Sequence, residues 1–324
     1  MRLAASGSPR FRLVAWAVAL AAVAFDASGQ AFPVRPVRIV LPFAAGGGTD
    51  TVMRVLAQSM GQATGHTFVL DNRPSDGGNV GLEIVARALP DGHTIIVSTP
   101  IIAVNPILYP RVPYGVGDFA AITLLGRAPA LIVTNPSVPA RTIAELVQLA
   151  KAKPGALRYG APTGSGPYLA MEMFRAMAGV DITHIPYKSS PAAVIDTVNG
   201  QIDMVSLTVP TTMPLVRANR LRALAQTGTT RLPIAADIPT LEEAGITGAS
   251  VSTWYMALGP AKIPASTVRY LNTEFVRALT APDARKRLGE TGVDEIVGSS
   301  ATEAAAFLRG EVARWAKVLK PIRE

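Results

Sequence analysis

Residues 37–50 read VRIVLPFAAGGGTD, a short apolar run followed by a proline and a glycine-rich loop. Val37 to Leu41 has the length and the branched side chains of a buried strand. Apolar residues then recur at helical spacing between residues 52 and 60, so a helix is expected from Asp50, with Thr49 as its cap. The stretch therefore predicts a strand, a loop and a helix in succession.

The same order returns along the chain. The loop PTGSGP at 162–167 follows a strand-like run and opens a second helix. Because the chain has 324 residues, and single cores stop growing near about 250–300 residues, two α/β lobes are expected. Further strands are predicted at 67–70, 94–98, 121–125, 130–134, 157–160, 184–186, 202–207, 221–225 and 254–258, and further helices at 80–88, 142–151, 191–200, 266–279, 282–288 and 302–319.

The first 31 residues have the pattern of an export signal. Basic residues precede the apolar run from Leu13 to Phe25, which is shorter than the about 20 residues that span a bilayer. Gly29 and Ala31 supply the small residues of a cleavage site, and a membrane anchor is the alternative. Removing residues 1–31 lowers the formal net charge from +8 to +6. The remaining positive charges are spread singly, which favours small anions and argues against nucleic acid as a partner.

The residue inventory argues against most enzyme chemistry. Without cysteine, the chain has no disulfide, no Cys-ligated metal and no thiol nucleophile. His66, His93 and His184 are too scattered to predict a metal site, and Ser165 lies outside the Gly-x-Ser-x-Gly pattern of a nucleophile elbow. We therefore expect no catalytic residue, no metal and no cofactor, with a secreted hydrolase as a minor alternative.

Dinucleotide binding is the strongest competing motif. Gly46 and Gly48 follow a strand, and Asp71 ends the next strand at about the 20-residue spacing of a ribose-binding acid. Thr51 stands where the motif has its third glycine, and an exported protein meets little nicotinamide cofactor. The pattern therefore disfavours a dinucleotide site.

Each predicted lobe carries a glycine-rich loop at the start of a helix. Unpaired N–H groups and the positive end of the helix dipole favour an anion there, and glycine lets a ligand approach the backbone. Neither loop contains Lys or Arg, and Asp50 would repel a polyphosphate, so a carboxylate is the favoured ligand. Two alternatives stay open: the glycines only form tight turns, and Asp50 only stabilises its helix or binds an amine on the ligand. Trp254–Tyr255 is interpreted as structural.

Several ordered motifs together resemble the Bug (Bordetella uptake gene) family of periplasmic solute receptors, the extracytoplasmic subunits of tripartite tricarboxylate transporters. The resemblance covers residues 32–324. Its motifs lie at 42–50 (PFAAGGGTD), 71–74 (DNRP), 77–81 (GGNVG), 90–92 (PDG), 185–188 (IPYK), 221–225 (LRALA), 239–245 (PTLEEAG) and 254–255 (WY).

The resemblance implies a type II periplasmic binding protein fold, an α/β fold of two lobes with a ligand cleft and a hinge of crossing strands. It implies lobe I at 32–129 and 255–324 and lobe II at 130–254, following the signal peptide that the sequence pattern predicts at 1–31. The implied function is periplasmic capture of a small organic carboxylate by a monomer, which delivers it to the membrane subunits of a tripartite tricarboxylate carrier. A ligand-presenting periplasmic sensor is the alternative.

The resemblance also implies a set of ligand-binding residues, in which the carboxylate is held by loop amides and ordered waters. The carried-over candidates are Pro42, Phe43, Gly46, Gly47 and Asp50 from lobe I, and Thr163, Gly164, Ser165, Tyr168 and Tyr187 from lobe II. Ser98, Asp203 and Thr208 are further candidates because they follow strand ends. Tyr168 departs from the histidine that the family often has, so this residue is expected to alter ligand choice.

Overall fold

The protein is described here by a computed structural model that covers residues 32–109 and 111–319. The predicted export segment, residues 1–31, lies outside the described residues. The strands are β1 Val37–Leu41, β2 Phe68–Asn72, β3 Thr94–Ser98, β4 Phe119–Thr134, β5 Arg158–Ala161, β6 Thr183–Pro186, β7 Met204–Thr208, β8 Arg222–Gln226, β9 Ser252–Pro260 and β10 Glu295–Ile296. The helices are α1 Gly48–Thr64, α2 Asn79–Ala86, α3 Ile101–Leu108, α4 Ile143–Ala152, α5 Gly166–Ala178, α6 Ser190–Val198, α7 Val209–Arg217, α8 Ala265–Thr280, α9 Pro282–Glu290 and α10 Ala301–Val318.

The strands form two groups with the same internal order. In the first group β1 pairs in parallel with β2 and β3, and β3 pairs antiparallel with β9. In the second group β5 pairs in parallel with β6 and β7, and β7 pairs antiparallel with β4. Both groups are built from strand–helix–strand crossovers, which is the arrangement that the alternating sequence pattern predicts.

Two strands connect the groups. β4 pairs with β9 from Phe119 to Pro129, and from Ala130 onward it pairs with β7 and β8. The sequence had suggested two strands, at 121–125 and 130–134. That prediction was wrong because Gly126 and Pro129, which usually end a strand, are accommodated here: the register shifts between Leu124 and Gly126, and pairing continues past Pro129.

Two helices, α3 and α7, were not predicted from the sequence. Pro106 lies inside α3, and Pro214 lies inside α7. Proline lacks an N–H and normally interrupts a helix, which is why periodicity alone underrates such segments. Helix α1 also differs in detail, because it begins at Gly48 with Gly47 as its N-cap and without the predicted cap from Thr49.

The C-terminal helix α10 is tied to β9 by one buried carboxylate. Glu311 accepts hydrogen bonds from the indole Nε1 of Trp254 at 2.8 Å and of Trp315 at 3.1 Å, through the same oxygen, Oε2. Both indole rings are fully buried, and Glu311 is 8% exposed. Because buried N–H groups need acceptors, this carboxylate satisfies two donors that no water reaches.

Within residues 32–109 and 111–319, no helix combines the length and the apolar character that crossing a bilayer requires.

Candidate functional site

A cavity of about 90 Å³ lies where the carboxyl ends of the parallel strands of both groups meet. Its volume is several times the roughly 10–15 Å³ that a single water needs. Both glycine-rich loops, the one before α1 and the one before α5, contribute to its wall. The lining residues are Phe43, Ala44, Gly46, Gly47, Gly48, Thr49, Thr99, Pro162, Ser165, Gly166, Pro167, Ser189, Ser190, Pro191, Leu207, Thr208, Thr211, Thr253 and Tyr255.

Five helices begin at this cavity. Helices α1, α5 and α6 start with the lining residues Gly48, Gly166 and Ser190, and α7 starts directly after the lining residue Thr208. Helix α3 begins two residues after Thr99. The first N–H groups of a helix have no partner within it, and each N-terminus acts as about half a positive charge. The convergence therefore makes the cavity attractive to an organic anion.

Among the described residues that line the cavity, none carries a charged side chain. The only titratable lining group is the Tyr255 phenol, and its burial raises the pKa of Tyr255 above the ordinary value. This hydroxyl is therefore a neutral hydrogen-bond donor at physiological pH. The positive potential in the cavity comes from main-chain dipoles rather than from Lys or Arg.

Asp50 stabilises the first loop through a hydrogen bond to its main chain. The Asp50 carboxylate accepts hydrogen bonds from the Gly46 N–H at 3.0 Å and from Arg54 Nε at 2.8 Å. Burial opposes ionisation of this carboxyl, but the hydrogen bonds from Arg54, Gly46 and Asn72, together with the charge of Arg54, outweigh it and lower the pKa of Asp50. Gly46 has φ +79°, a conformation that glycine adopts without strain. Asp50 therefore fixes the loop and does not itself line the cavity.

The second loop is held by its own serine. The Ser165 hydroxyl donates to the Pro162 carbonyl at 2.6 Å and accepts from the Tyr168 N–H at 3.4 Å, which makes Ser165 the N-cap of α5. Gly166, the first residue of the helix, lines the cavity, and its N–H has no acceptor within the helix. Ser165 is 5% exposed, so its side chain supports the loop from within.

Both loops approach the same strand, β9. A Cβ atom added to Gly166 would lie 1.6 Å from Thr253 Oγ1, and one added to Gly48 would lie 3.1 Å from the Tyr255 hydroxyl. Thr253 and Tyr255 are two residues apart on a strand, so their side chains point to the same side. Only glycine fits against Thr253 at position 166, and one connecting strand thus forms the floor under both loops.

The structure brings five of the thirteen predicted site residues to the cavity wall. These are Phe43, Gly46, Gly47, Ser165 and Thr208. Pro42, Thr163 and Gly164 belong to the same two loops and Asp50 lies in the first turn of α1, but none of the four lines the cavity. Gly164 faces α3 instead, since a Cβ there would lie 2.8 Å from Asn105 Oδ1.

Four other predicted residues have their side chains engaged elsewhere. The Tyr168 ring is packed against Tyr159 and His184, at centroid distances of 6.5 and 4.8 Å. The Tyr187 hydroxyl donates to Asp196 at 2.7 Å, the Asp203 carboxylate accepts from the Arg158 N–H at 2.7 Å, and the Ser98 hydroxyl donates to the Thr99 carbonyl at 3.2 Å.

Sequence reasoning missed several lining residues. Ser189, Ser190 and Pro191 could have been found, because serine followed by proline is a common helix start and this one follows a short strand. Thr99 gave no signal and Tyr255 was interpreted as structural, since their position at the cavity depends on how β3 and β9 pair. In the described part of the chain, no cluster of His, Asp or Glu is arranged to hold a metal ion.

Comparison with known proteins gives one family and several closely similar structures. Residues 52–323 match the family described as "Tripartite tricarboxylate transporter family receptor". The R. palustris protein Rpa4515, solved with adipate, is 34% identical with a TM-score of 0.84, covering 89% of this chain and 97% of its own. The periplasmic binding protein BugD is 32% identical with a TM-score of 0.82, covering 90% and 98%. MatC from Rhodopseudomonas palustris, solved with malate, is 30% identical with a TM-score of 0.83, covering 89% and 100%.

Proposed function

Since this chain belongs to the family of tripartite tricarboxylate transporter receptors, we propose that it captures a small organic carboxylate in the cavity described above and presents it to a membrane carrier. The predicted resemblance to Bug proteins is confirmed, as is the two-lobe periplasmic binding protein fold. The observation that carries the proposal is the convergence of five helix N-termini on a cavity without charged side chains. Main-chain N–H groups at helix starts are established anion donors.

The ligand class is supported by the relatives. Rpa4515 and MatC were solved with adipate and malate, which are both small carboxylates. In this chain the two glycine loops, the Thr208 end of β7 and the floor of β9 would surround such an acid. Of the thirteen candidate residues, Phe43, Gly46, Gly47, Ser165 and Thr208 would contact it or form its walls. The remaining candidates would act by holding the loops or through waters.

We infer that capture involves closure of two lobes, bounded as the sequence predicts at 32–129 with 255–324 and at 130–254. The change of β4 partners between Pro129 and Ala130 supports the first boundary. A ligand shifts such an equilibrium only by its difference in affinity for the closed and open forms. In the closed form an acid contacts donors from both sides of the cavity, so it binds the closed form more tightly than the open form.

We further infer that the protein is exported to the periplasm and that residues 1–31 are cleaved off. The mature protein acts as a monomeric receptor that makes and breaks no covalent bond in its ligand. The BugD relative is a periplasmic binding protein, and the family is a class of transporter receptors. The membrane partner would be the carrier subunits, and co-purification of those subunits would distinguish this role from ligand presentation to a sensor.

The proposed function is tested by titrating the mature protein with adipate and malate in a calorimeter, while NMR follows the acid. We expect saturable one-to-one binding of at least one carboxylate, and recovery of the acid unchanged. Mass spectrometry of small molecules released from the gently purified protein extends the panel to any acid that co-purifies. Conversion of an ester or amide would support the hydrolase alternative, and absence of binding to every acid would refute the receptor.

Binding is expected to be independent of pH between about 6 and 9. The ligand carboxylate, with a pKa near the about 4 of model carboxyls, stays ionised in this range, and the neutral N–H donors do not titrate. Because the pKa of Tyr255 is raised, its hydroxyl keeps its proton as well. Affinity should fall only as the pH drops through the pKa of the ligand. A tenfold loss of affinity between pH 6 and 8 would instead indicate a histidine in the site.

A further inference from the structure

The hydroxyl groups of Thr99 and Tyr255 lie in the cavity wall, and neither has a partner among the described residues. We propose that Thr99 and Tyr255 form a neutral donor pair that binds the carboxylate together with the first turn of α1, and that Tyr255 thereby helps to determine which ligand is accepted. The inference rests on the proposed function, and it assigns a binding role to a residue that the sequence favoured as structural.

The pairing of β3 with β9 places the two residues side by side. The last pair of residues between these antiparallel strands is Ser98 with Met256. One step further along the same register, Thr99 faces Tyr255. Neighbours across antiparallel strands have Cβ atoms about 4.5–5.5 Å apart and project to the same side. Both residues line the cavity, as this register requires.

Both side chains are almost completely buried. Thr99 and Tyr255 are each 2% exposed. Thr99 Oγ1 has no hydrogen-bond partner, and the described residues supply none for the Tyr255 hydroxyl either. Buried polar groups are nearly always satisfied, and leaving one unpaired is unfavourable. Thr99 Oγ1 is such an exception, and together with the Tyr255 hydroxyl beside it at the same cavity wall it points to an acceptor that arrives with the ligand.

The Tyr255 hydroxyl lies next to the start of α1. It would be 3.1 Å from a Cβ on Gly48, the first residue of that helix. A carboxylate at the N-terminus of α1 therefore reaches both the main-chain N–H groups and the phenol. Because a carboxylate has two oxygens and about four acceptor positions, it can satisfy these amides and both hydroxyls together.

The donor pair also explains why a carboxylate suits the site better than a neutral apolar group. Every donor at this end of the cavity is uncharged, so the ligand supplies the only formal charge, and hydrogen bonds to a charged acceptor are the stronger kind. A site built to hydrogen-bond one group discriminates strongly against an analogue that lacks it, because its own donors then stay unpaired.

The test compares Tyr255→Phe and Thr99→Val with wild type in calorimetric titrations with adipate and malate. Phe retains the ring and Val retains the shape of Thr, so each variant removes little more than a hydroxyl. We expect Tyr255→Phe to weaken binding about tenfold to a hundredfold and Thr99→Val to weaken it about tenfold. Unliganded melting temperatures should stay equal to wild type or rise, since an unsatisfied group has been removed.

Tyr270→Phe is the matched control, because Tyr270 lies on α8 and does not line the cavity. It should bind like wild type. If wild type binds a carboxylate and both Tyr255→Phe and Thr99→Val bind it equally well, the donor pair is refuted while the receptor role stands. If Tyr255→Phe fails to fold, Thr99→Val decides the matter in the same way. If wild type binds no carboxylate, the proposed function itself fails, and this inference fails with it.

Discussion

Replacing Gly166 with alanine is expected to abolish ligand binding and to lower the free energy of unfolding by about 1–3 kcal/mol or more. The added Cβ would lie 1.6 Å from Thr253 Oγ1 and 2.7 Å from Thr253 Cβ. Rotating the threonine moves its oxygen but not its Cβ, so α5 or β9 must shift. Either shift displaces the second loop from the cavity floor. Calorimetric titration and urea unfolding of the variant measure the two effects.

Two further variants separate crowding from a general effect of losing glycine. Gly310→Ala adds a methyl group inside α10 where no atom beyond the neighbouring backbone of the helix itself lies within 4 Å, so it should bind normally and gain up to about 1 kcal/mol of helix stability. Gly166→Ala combined with Thr253→Gly removes the three atoms nearest to the new Cβ, and it should recover binding in part. If the double variant recovers neither stability nor binding, the steric explanation is contradicted.

Replacing Glu311 with leucine is expected to destabilise the protein by about 2–5 kcal/mol, because two buried indole N–H groups lose their acceptor at once. Leucine fills similar space, so the loss would not come from a large cavity. Trp254 lies on β9 between Thr253 and Tyr255, which both line the cavity. Loss of the hydrogen bond that holds the Trp254 indole should therefore also weaken ligand binding. Urea unfolding measures the first effect, and calorimetric titration measures the second.

Glu311→Gln is the matched control. Its amide oxygen can still accept from Trp254 and Trp315, so the variant should lose less than half of what the leucine variant loses. The ion contact with Arg314, at 3.6 Å on a half-exposed side chain, contributes little in either case. Equal destabilisation by leucine and glutamine would mean that the negative charge, and not the two hydrogen bonds, holds α10 to β9.

The sequence allowed the fold class and the two glycine loops to be predicted because both depend on local patterns. Val37–Leu41 is a strand as its composition indicates, and Gly46 and Gly164 adopt the positive φ that glycine permits. The loops line one cavity, as a grip on an anion from two sides requires.

The other features of the fold and of the site could not be predicted, because they depend on contacts between residues far apart in the sequence. Tyr255 reaches the cavity because β9 pairs with β3, and no local pattern records that register. Helices α3 and α7 form despite internal prolines, since packing outweighs their poor propensity. Tyr168 was chosen by resemblance, and its packing against the rings of Tyr159 and His184 leaves a role in ligand choice as a prediction.

The neutral wall of the cavity has a consequence for how this receptor can change over generations. Its anion-attracting groups belong to the peptide backbone, which every amino acid shares, so substitution of a wall side chain such as Phe43 or Leu207 leaves them in place. Gene duplicates can therefore exchange those side chains and acquire new organic acids while keeping the preference for negative charge. The same property makes these positions suitable starting points for engineering sensors of chosen metabolites.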